Sequence, residues 1–304
     1  MSIITNGLIP KDLVKGINKF YTDASDNVPA EYLDFMEKMA SDRAFEEDVQ
    51  YSGSGLLKKK NEGSDIQYDT MRQTNVQRYL HNEYALAFRI TRAARDDGQT
   101  LKVAEKFAGE LARSANHTLN TVCANHLNRA FNSSYVGGDG VELCSDAHVQ
   151  TIGGATGRNK LAIAADLDDT SLDQALIDID DFADDVGLPA LVKAKKLIIP
   201  TALTFEADRL VSSTLRPGSA DNDVNARNNL GKLPGGVAVN HYLTDPDAWF
   251  IATDATDGMK LMERVAPEVD QDSDFNSMDF RYRLYMRFAS GWTNWMSMYG
   301  SEGA

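Results

Sequence analysis

The chain has 304 residues, 45 acidic against 31 basic side chains and a formal net charge of −14. With 42% hydrophobic residues, 22 Gly and 8 Pro, it has the composition of a globular chain of about two domains, which excludes disorder and collagen-like repeats. Several function classes fall away as well. The charge argues against wrapping nucleic acid by neutralising phosphates. No apolar run nears the ~18 residues of a membrane span, and the first residues lack the cationic-then-apolar order of an export signal. Cys123 and Cys144 are too few and too isolated for a disulfide scaffold or a zinc site, so a reducing compartment is expected.

In chain order, two short amphipathic helices are expected first. Leu13, Val14, Ile17, Phe20 and Tyr21 line one, and Tyr32, Leu33, Met36 and Met39 line the next, which opens at Pro29. Neither face has a neighbour in sequence to bury it. Phe45 to Leu80 is polar, with Gly53, Gly55, Gly63 and the run Lys58-Lys59-Lys60; only Val49–Tyr51 and Ile66–Tyr68 look strand-like. A lone hairpin of this kind is marginal in water. From Leu80, apolar Tyr84, Leu86, Phe88 and Ile90 alternate with His81, Glu83 and Arg89, the pattern of a half-buried strand.

After Asp96-Asp97-Gly98, apolar residues from Leu101 to Phe131 recur at spacings of mostly three and four, which predicts one helix about 45 Å long. Gly137 to Gly140 ends it, and a hairpin-like stretch through Gly153-Gly154 follows. Ser171 with Gln174 three residues on reads as a capping box for a helix faced by Leu172, Ala175, Leu176, Ile179, Phe182, Ala183 and Val186 and stopped at Gly187. Lys195 to Pro200 reads as a central strand and Thr201 to Ser213 as a helix. Strands are expected at Val237–Tyr242, Trp249–Ala252 and Lys260–Arg264. The last is long: Phe280, Tyr282, Leu284, Met286 and Phe288 face one way, Arg281, Arg283, Tyr285 and Arg287 the other.

No catalytic, cofactor or metal site emerges. His81, His117, His126, His148 and His241 show no metal-ligand spacing, and no nucleophile elbow, Walker loop or dinucleotide fingerprint is present. Nine aspartates lie between Asp166 and Asp185. Asp173, Asp178, Asp180, Asp181, Asp184 and Asp185 read as the solvated face of the amphipathic helix rather than a cation site. Asp270, Asp272 and Asp274 begin like a calcium loop, but Phe275 and Arg281 stand where Gly and Glu are required. The arginines of the last strand read as partners for carboxylates. An arm without a local partner, a loop too polar to fold alone and a spine helix together favour a self-assembling structural protein.

The order of elements resembles the major capsid proteins of tailed bacteriophages, the Hong Kong 97 fold, and within it the Mu-like major head subunits. The strings Tyr84-Ala85-Leu86-Ala87-Phe88-Arg89-Ile90-Thr91, Leu197-Ile198-Ile199-Pro200-Thr201-Ala202-Leu203, Thr214-Leu215-Arg216-Pro217-Gly218-Ser219-Ala220-Asp221-Asn222-Asp223-Val224-Asn225 and Asn240-His241-Tyr242-Leu243-Thr244-Asp245-Pro246-Asp247-Ala248-Trp249-Phe250 carry it. The similarity covers about residues 45–300.

What the resemblance implies is an α+β capsid fold divided into an N-terminal arm (1–46), an extended loop (47–80), a peripheral domain with the spine helix (81–150), an axial domain (151–265) and a return strand (266–304). Copies would form the hexamers and pentamers of an icosahedral shell around double-stranded DNA, held without sequence-specific contacts, in a virion assembled in the host cytoplasm. Inter-subunit contacts would fall on Tyr51, Leu56, Leu57, Lys58, Lys59, Lys60, Tyr68 and Met71 of the loop and on Leu13, Ile17, Phe20, Tyr21, Tyr32 and Met36 of the arm. A separate scaffolding protein, a portal and a decoration protein are the further partners implied, with no cofactor and no membrane. Lys58 to Lys60 lie where some relatives carry a cross-linking lysine, but a cluster at a loop tip is expected simply to be solvated. A cellular nanocompartment shell of encapsulin type is the alternative on the same fold. A soluble oligomeric enzyme is the alternative from another class, and it would need a convergent set of titratable residues.

Overall fold

The computed structural model describes residues 28–93, 100–149, 156–214, 224–273 and 278–304. Its elements run in chain order as a 3-10 turn (Glu31–Asp34), β1 (Glu37–Ala40), β2 (Phe45–Tyr51), β3 (Gln73–Leu80), β4 (Asn82–Ile90), α1 (Thr100–Asn128), β5 (His148–Val149), β6 (Thr156–Gly157) and α2 (Asp169–Asp180). There follow β7 (Ala194–Ile199), a 3-10 turn (Thr201–Leu203), α3 (Thr204–Val211), α4 (Ala226–Leu230), β8 (Val237–Val239), β9 (Trp249–Thr253), β10 (Met259–Ser273), β11 (Phe280–Trp292), a 3-10 turn (Trp295–Ser297) and β12 (Met298–Ser301). No helix among the described residues is long and apolar enough to cross a membrane.

Two four-stranded sheets organise the chain. The first has the order β1-β10-β11-β4, with β1 parallel to β10 and the other pairs antiparallel. The second has the order β12-β9-β7-β8, with β7 and β8 parallel. α1 is the expected spine helix. Leu111, Ala115, Leu119, Cys123 and Leu127 recur every four residues and are buried, which turns one stripe of the helix onto β11 and β4. Along β11, Tyr282, Leu284, Met286 and Phe288 point into that core while the arginines point out, as the period of two requires.

The second sheet is buried on both faces. Ile198, Phe250 and Ala252 belong to the core under α1, whereas Leu197, Ile199, Trp249 and Ile251, one residue out of step, belong to a second core closed by Leu172, Leu176 and Ile179 of α2 and Ala207 and Leu210 of α3. One wall thus serves two cores, and β9 reads as an unbroken apolar run for that reason.

Asn159 joins the two cores. Fully buried, it shares its two Nδ2 hydrogens among the carbonyls of Leu143 (2.7 Å), Met298 (2.9 Å) and Trp295 (3.1 Å), and its Oδ1 accepts the Ser145 N–H at 2.8 Å. A single side chain thereby satisfies backbone from the end of the spine region and from the C-terminal segment.

Several expectations need correction. The second arm helix is a single 3-10 turn followed by strand β1, because Tyr32, Phe35 and Met36 turn onto the spine helix while Glu37–Ala40 pair with β10. The first arm helix, with Leu13, Val14, Ile17, Phe20 and Tyr21, lies outside the described residues, as do Asp274 and the turns at 94–99 and 150–155. Ile66–Tyr68 is not a strand; the partner of β2 is the polar β3. The capping box of α2 lies three residues earlier, on Asp168: its Oδ1 accepts the Ser171 N–H at 2.6 Å and Ser171 Oγ accepts the Asp168 N–H at 2.9 Å. α2 ends at Asp180 rather than at Gly187. The boundary expected at residue 265 falls inside β10, and β12, beyond 266, belongs to the second sheet.

Asn159→Leu, close in size, would take the side-chain partner from the buried Leu143 carbonyl and Ser145 N–H and remove the bonds to the Met298 and Trp295 carbonyls, of which Trp295 O keeps the Met298 N–H. It should cost about 3 kcal/mol or more, read as a lower urea midpoint with an unchanged slope. A midpoint within error of the parent would mean that Asn159 does not join the cores.

Candidate assembly surfaces

The hairpin of β2 and β3 is a two-stranded extension that its own pairing holds only marginally, and its root is clamped to the first sheet. Asp48 Oδ2 accepts from Lys260 Nζ at 2.6 Å and from Thr293 Oγ1 at 2.9 Å. Lys260, 4% exposed, also donates to Asp257 Oδ1 at 2.8 Å. Burial pulls its pKa down, but the hydrogen bonds to Asp257 and Asp48 outweigh that and leave it raised, so the ammonium stays charged. Tyr79 reaches from β3 onto β11: its hydroxyl lies 2.6 Å from Thr293 Oγ1, and its ring fills the space a Cβ at Gly291 would take, 2.9 Å from that position. Only glycine admits the ring there.

A second latch holds the two places where chain crosses between hairpin and sheet. Ser41 follows β1, and His81 is the single residue between β3 and β4. Ser41 Oγ donates to Glu46 Oε1 at 2.8 Å, so its contact with His81 Nε2 at 3.0 Å is one in which the imidazole donates. Nδ1 then carries the lone pair and is buried without a hydrogen-bond partner. Burial first, and the nearby Arg287 guanidinium second, hold the His81 pKa below its ordinary 6.5, against the pull of Glu46.

Beyond the clamp, the legs of the loop stay together. Arg72 O accepts the Ser52 N–H at 2.8 Å and Asp69 Oδ2 accepts the Gly55 N–H at 2.8 Å, which holds the Asp69 carboxyl below the usual carboxylate range. Past that tie Leu56, Ile66 and Tyr68 are exposed, Leu57 fully so, and Lys58, Lys59 and Lys60 stand in solvent; Met71 is exposed between the two ties and Tyr51 at the end of β2. The structure therefore brings all eight loop residues singled out in the sequence to one projecting element. It does not do so for the arm. Tyr32 and Met36 are buried in the subunit's own core, where Asn120 of α1 accepts the Tyr32 N–H at 3.2 Å and donates to Pro29 O at 3.0 Å. Glu31 adds bonds to His241 N at 2.8 Å and Nδ1 at 2.7 Å.

The acidic helix is less solvated than its composition suggests. Arg227 pairs with Asp169 (2.6 Å) and Asp173 (2.7 Å), Lys232 with Asp180 (2.5 Å), and Asp178 takes both Arg158 (3.0 Å) and the Tyr299 hydroxyl (2.6 Å). Of the last strand's arginines, Arg283 pairs with Asp270 at 3.0 Å and Arg287 with Glu83 at 3.8 Å. His126 lies against Ser290 and Trp292, and burial pushes its pKa down to about 4. Both cysteines are free and buried, and burial pushes the Cys123 thiol up to about 12. No metal-binding cluster occurs among the described residues.

The clamp residues Asp48, Lys260, Thr293 and Tyr79 escaped the sequence reading. One signal was there: Lys260 is the only charge in Gly258-Met259-Lys260-Leu261-Met262, and a lone cation in an apolar strand needs a buried partner.

An exposed stalk on a two-sheet body with a spine helix is the geometry of a shell subunit, and comparison with known proteins decides the family. A family model described as phage capsid protein matches residues 76–301. The chain belongs to that phage capsid family. Among solved structures, this capsid protein is similar to the virus-like particle of Pyrococcus furiosus, at 11% identity and a TM-score of 0.55 over 94% of this chain and 98% of that one. It is similar also to the procapsid of bacteriophage JBD30 (15% identity, TM-score 0.52, 98% and 76% covered) and to the capsid of an empty GTA particle (12%, 0.54, 90% and 90%). At these identities the likeness shows the fold, which is that of Hong Kong 97-type capsids. No curated protein matches the chain. The protein is a major capsid subunit, a structural component that associates with itself into the virion shell.

For the His81 latch the sign is fixed by the direction of the shift. A depressed imidazole pKa contributes stability that is present above pH 6.5, the ordinary value, and is lost as pH falls toward the folded value. Hydrogen exchange around residues 80–83, corrected for its intrinsic pH dependence, should therefore accelerate as the capsid protein is acidified from about pH 7.5 to about pH 5.5. His81→Gln, which keeps a donor to Ser41 but cannot titrate, should flatten that response; an equal response in both proteins would rule the latch out.

Proposed function

We propose that copies of this capsid subunit close into the hexamers and pentamers of an icosahedral shell, with the extended loop (47–80) reaching across a neighbour. The observation that carries this reading is the tip itself. Leu56, Leu57, Tyr68 and Met71 are displayed in water on a hairpin whose root is fixed by buried ion pairs. Apolar side chains held out on a stalk gain only when another surface covers them. Tyr51 and Lys58 to Lys60 belong to the same contact.

The peripheral unit (81–150, with most of 266–304) frames the loop, and the axial unit (151–265, joined by β12) gathers around the capsomer axis. The arm's contribution narrows to Leu13, Ile17, Phe20 and Tyr21, since Tyr32 and Met36 are committed to the subunit's own core. The shell encloses double-stranded DNA without sequence-specific grip, for which a net charge of −14 is suited. A scaffolding protein, a portal and a decoration protein would assist in the host cytoplasm. Clustered lysines without a paired acceptor in the subunit favour solvated contacts over a covalent weld.

Deleting residues 53–63 should give a soluble subunit with the parent's thermal unfolding profile that sediments as small species and shows no closed shells by negative stain. Normal shells from this deletion would remove the loop from inter-subunit contact.

A further inference from the structure

A groove of about 730 Å³ lies between the hairpin root and the turn after α2. Asp184, Asp185, Asp254 and Asp257 line it together with Pro189 and Leu191. Asp48, a fifth lining carboxylate, and two of these four are already engaged: Asp48 and Asp257 hold Lys260, and Asp184 Oδ1 accepts the Val186 and Leu188 N–H groups at 2.9 and 2.8 Å. The other two have charge to spare. Asp254 accepts a single backbone N–H, from Lys193 at 2.7 Å, and burial first, then the adjacent Asp184, hold the Asp185 carboxyl above its usual range. A cation brought into the groove would relieve that.

Leu191 supplies the apolar half of the surface. Its φ of 55° is one that leucine rarely adopts, and the turn that carries it is tied by Ala190 N–H to Phe182 O and Asp184 N–H to Leu188 O, each 2.8 Å. A rigid, strained turn therefore presents a leucine that is 78% exposed beside uncompensated carboxylates. One other segment of this chain has the complementary order, two exposed leucines followed by three lysines, Leu56-Leu57-Lys58-Lys59-Lys60. Gln50, Tyr51 and Gly53 of the same subunit's loop form one rim of the groove, but residues 56–68 are not among its lining. Extended, the six residues of each leg beyond the tie between Gly55 and Asp69 reach about 20 Å.

We infer that the groove between the hairpin root and the turn at 184–192 seats the Leu56–Lys60 tip of a neighbouring copy, with the lysines on Asp185 and Asp254 and the leucines on Leu191. This rests on the shell-forming reading above and specifies where the loop lands.

The test is a disulfide trap in the full chain, Lys59→Cys with Leu191→Cys; the native Cys123 and Cys144 are buried and do not compete. Shells assembled from it and oxidised should give a ladder of covalently joined protomers on a non-reducing gel, absent after reduction and absent from unassembled subunit. The control pair Lys59→Cys with Ile163→Cys, exposed elsewhere on the subunit, should give none. Shells with no ladder, an equal ladder from the control, or a 59–191 link within one protomer would each overturn the proposal. If the trap variant fails to assemble, the charge swap decides: Lys59→Asp and Asp185→Lys should each lower shell yield several-fold at low salt, and the double variant should recover it. No recovery would count against the groove. Failure of the reading beneath it is distinguishable: a parent chain that makes no shells refutes shell formation, shells from the 53–63 deletion remove the loop from inter-subunit contact, and loop-dependent shells without the 59–191 link refute the groove alone.

Discussion

A two-stranded hairpin has too little of its own to stand in water, and in this capsid protein a buried ammonium holds it up. Lys260 sits in the first sheet between Asp48 of the hairpin and Asp257 of the preceding turn, so swinging the hairpin away breaks the bond to Asp48 and costs the buried ammonium one of its two carboxylate partners. Tyr79 and Thr293 close the same cluster from β3 and from the end of β11. This cluster fixes the root of the hairpin, and the Ser41–His81 latch and the ties between the loop's legs carry that placement outward. A polar loop can therefore be both well aimed and without a packed core of its own.

The body beneath is built on economy of another kind. By burying both faces, the second sheet lets α1 and the first sheet on one side and α2 and α3 on the other share a single wall. Asn159 stitches backbone from distant parts of the chain across that wall, where a water molecule or a longer turn would otherwise be needed. The two cores are consequently parts of one packed body. β10 runs unbroken across residue 265, and β12, late in the chain, returns to the second sheet.

The sequence was most legible where one periodicity persists. The spine helix repeats its apolar spacing over some thirty residues, and β11 alternates through ten, so both emerged within a few residues of their ends. Short patterns failed for a physical reason. Tyr32, Met36 and Met39 are spaced as on a helix face, but about ten residues cannot separate a helix from a turn and a strand, and pairing with β10 decided the matter. β3, Gln73–Leu80, carries almost no apolar signal because its register is held by β2 and by the one ring of Tyr79. The loop residues of the assembly surface were legible as apolar side chains in a polar stretch. The clamp and latch that aim them were not, since Asp48, His81 and Asn159 owe their roles to partners 40 to 245 residues away.

The long β10–β11 ribbon has a mechanical consequence. Its strands run antiparallel from the clamp at Lys260 and Trp292 out to Ser273 and Phe280, with β1 and β4 on either side. Tension drawn along the strand axes from the hairpin loads all rungs of the ribbon together, in shear, whereas tension drawn across them would peel one rung after another. Pulled along its strands, the ribbon thus resists as a unit, and the weaker points are the side-chain ties at Lys260 rather than the ladder beyond them.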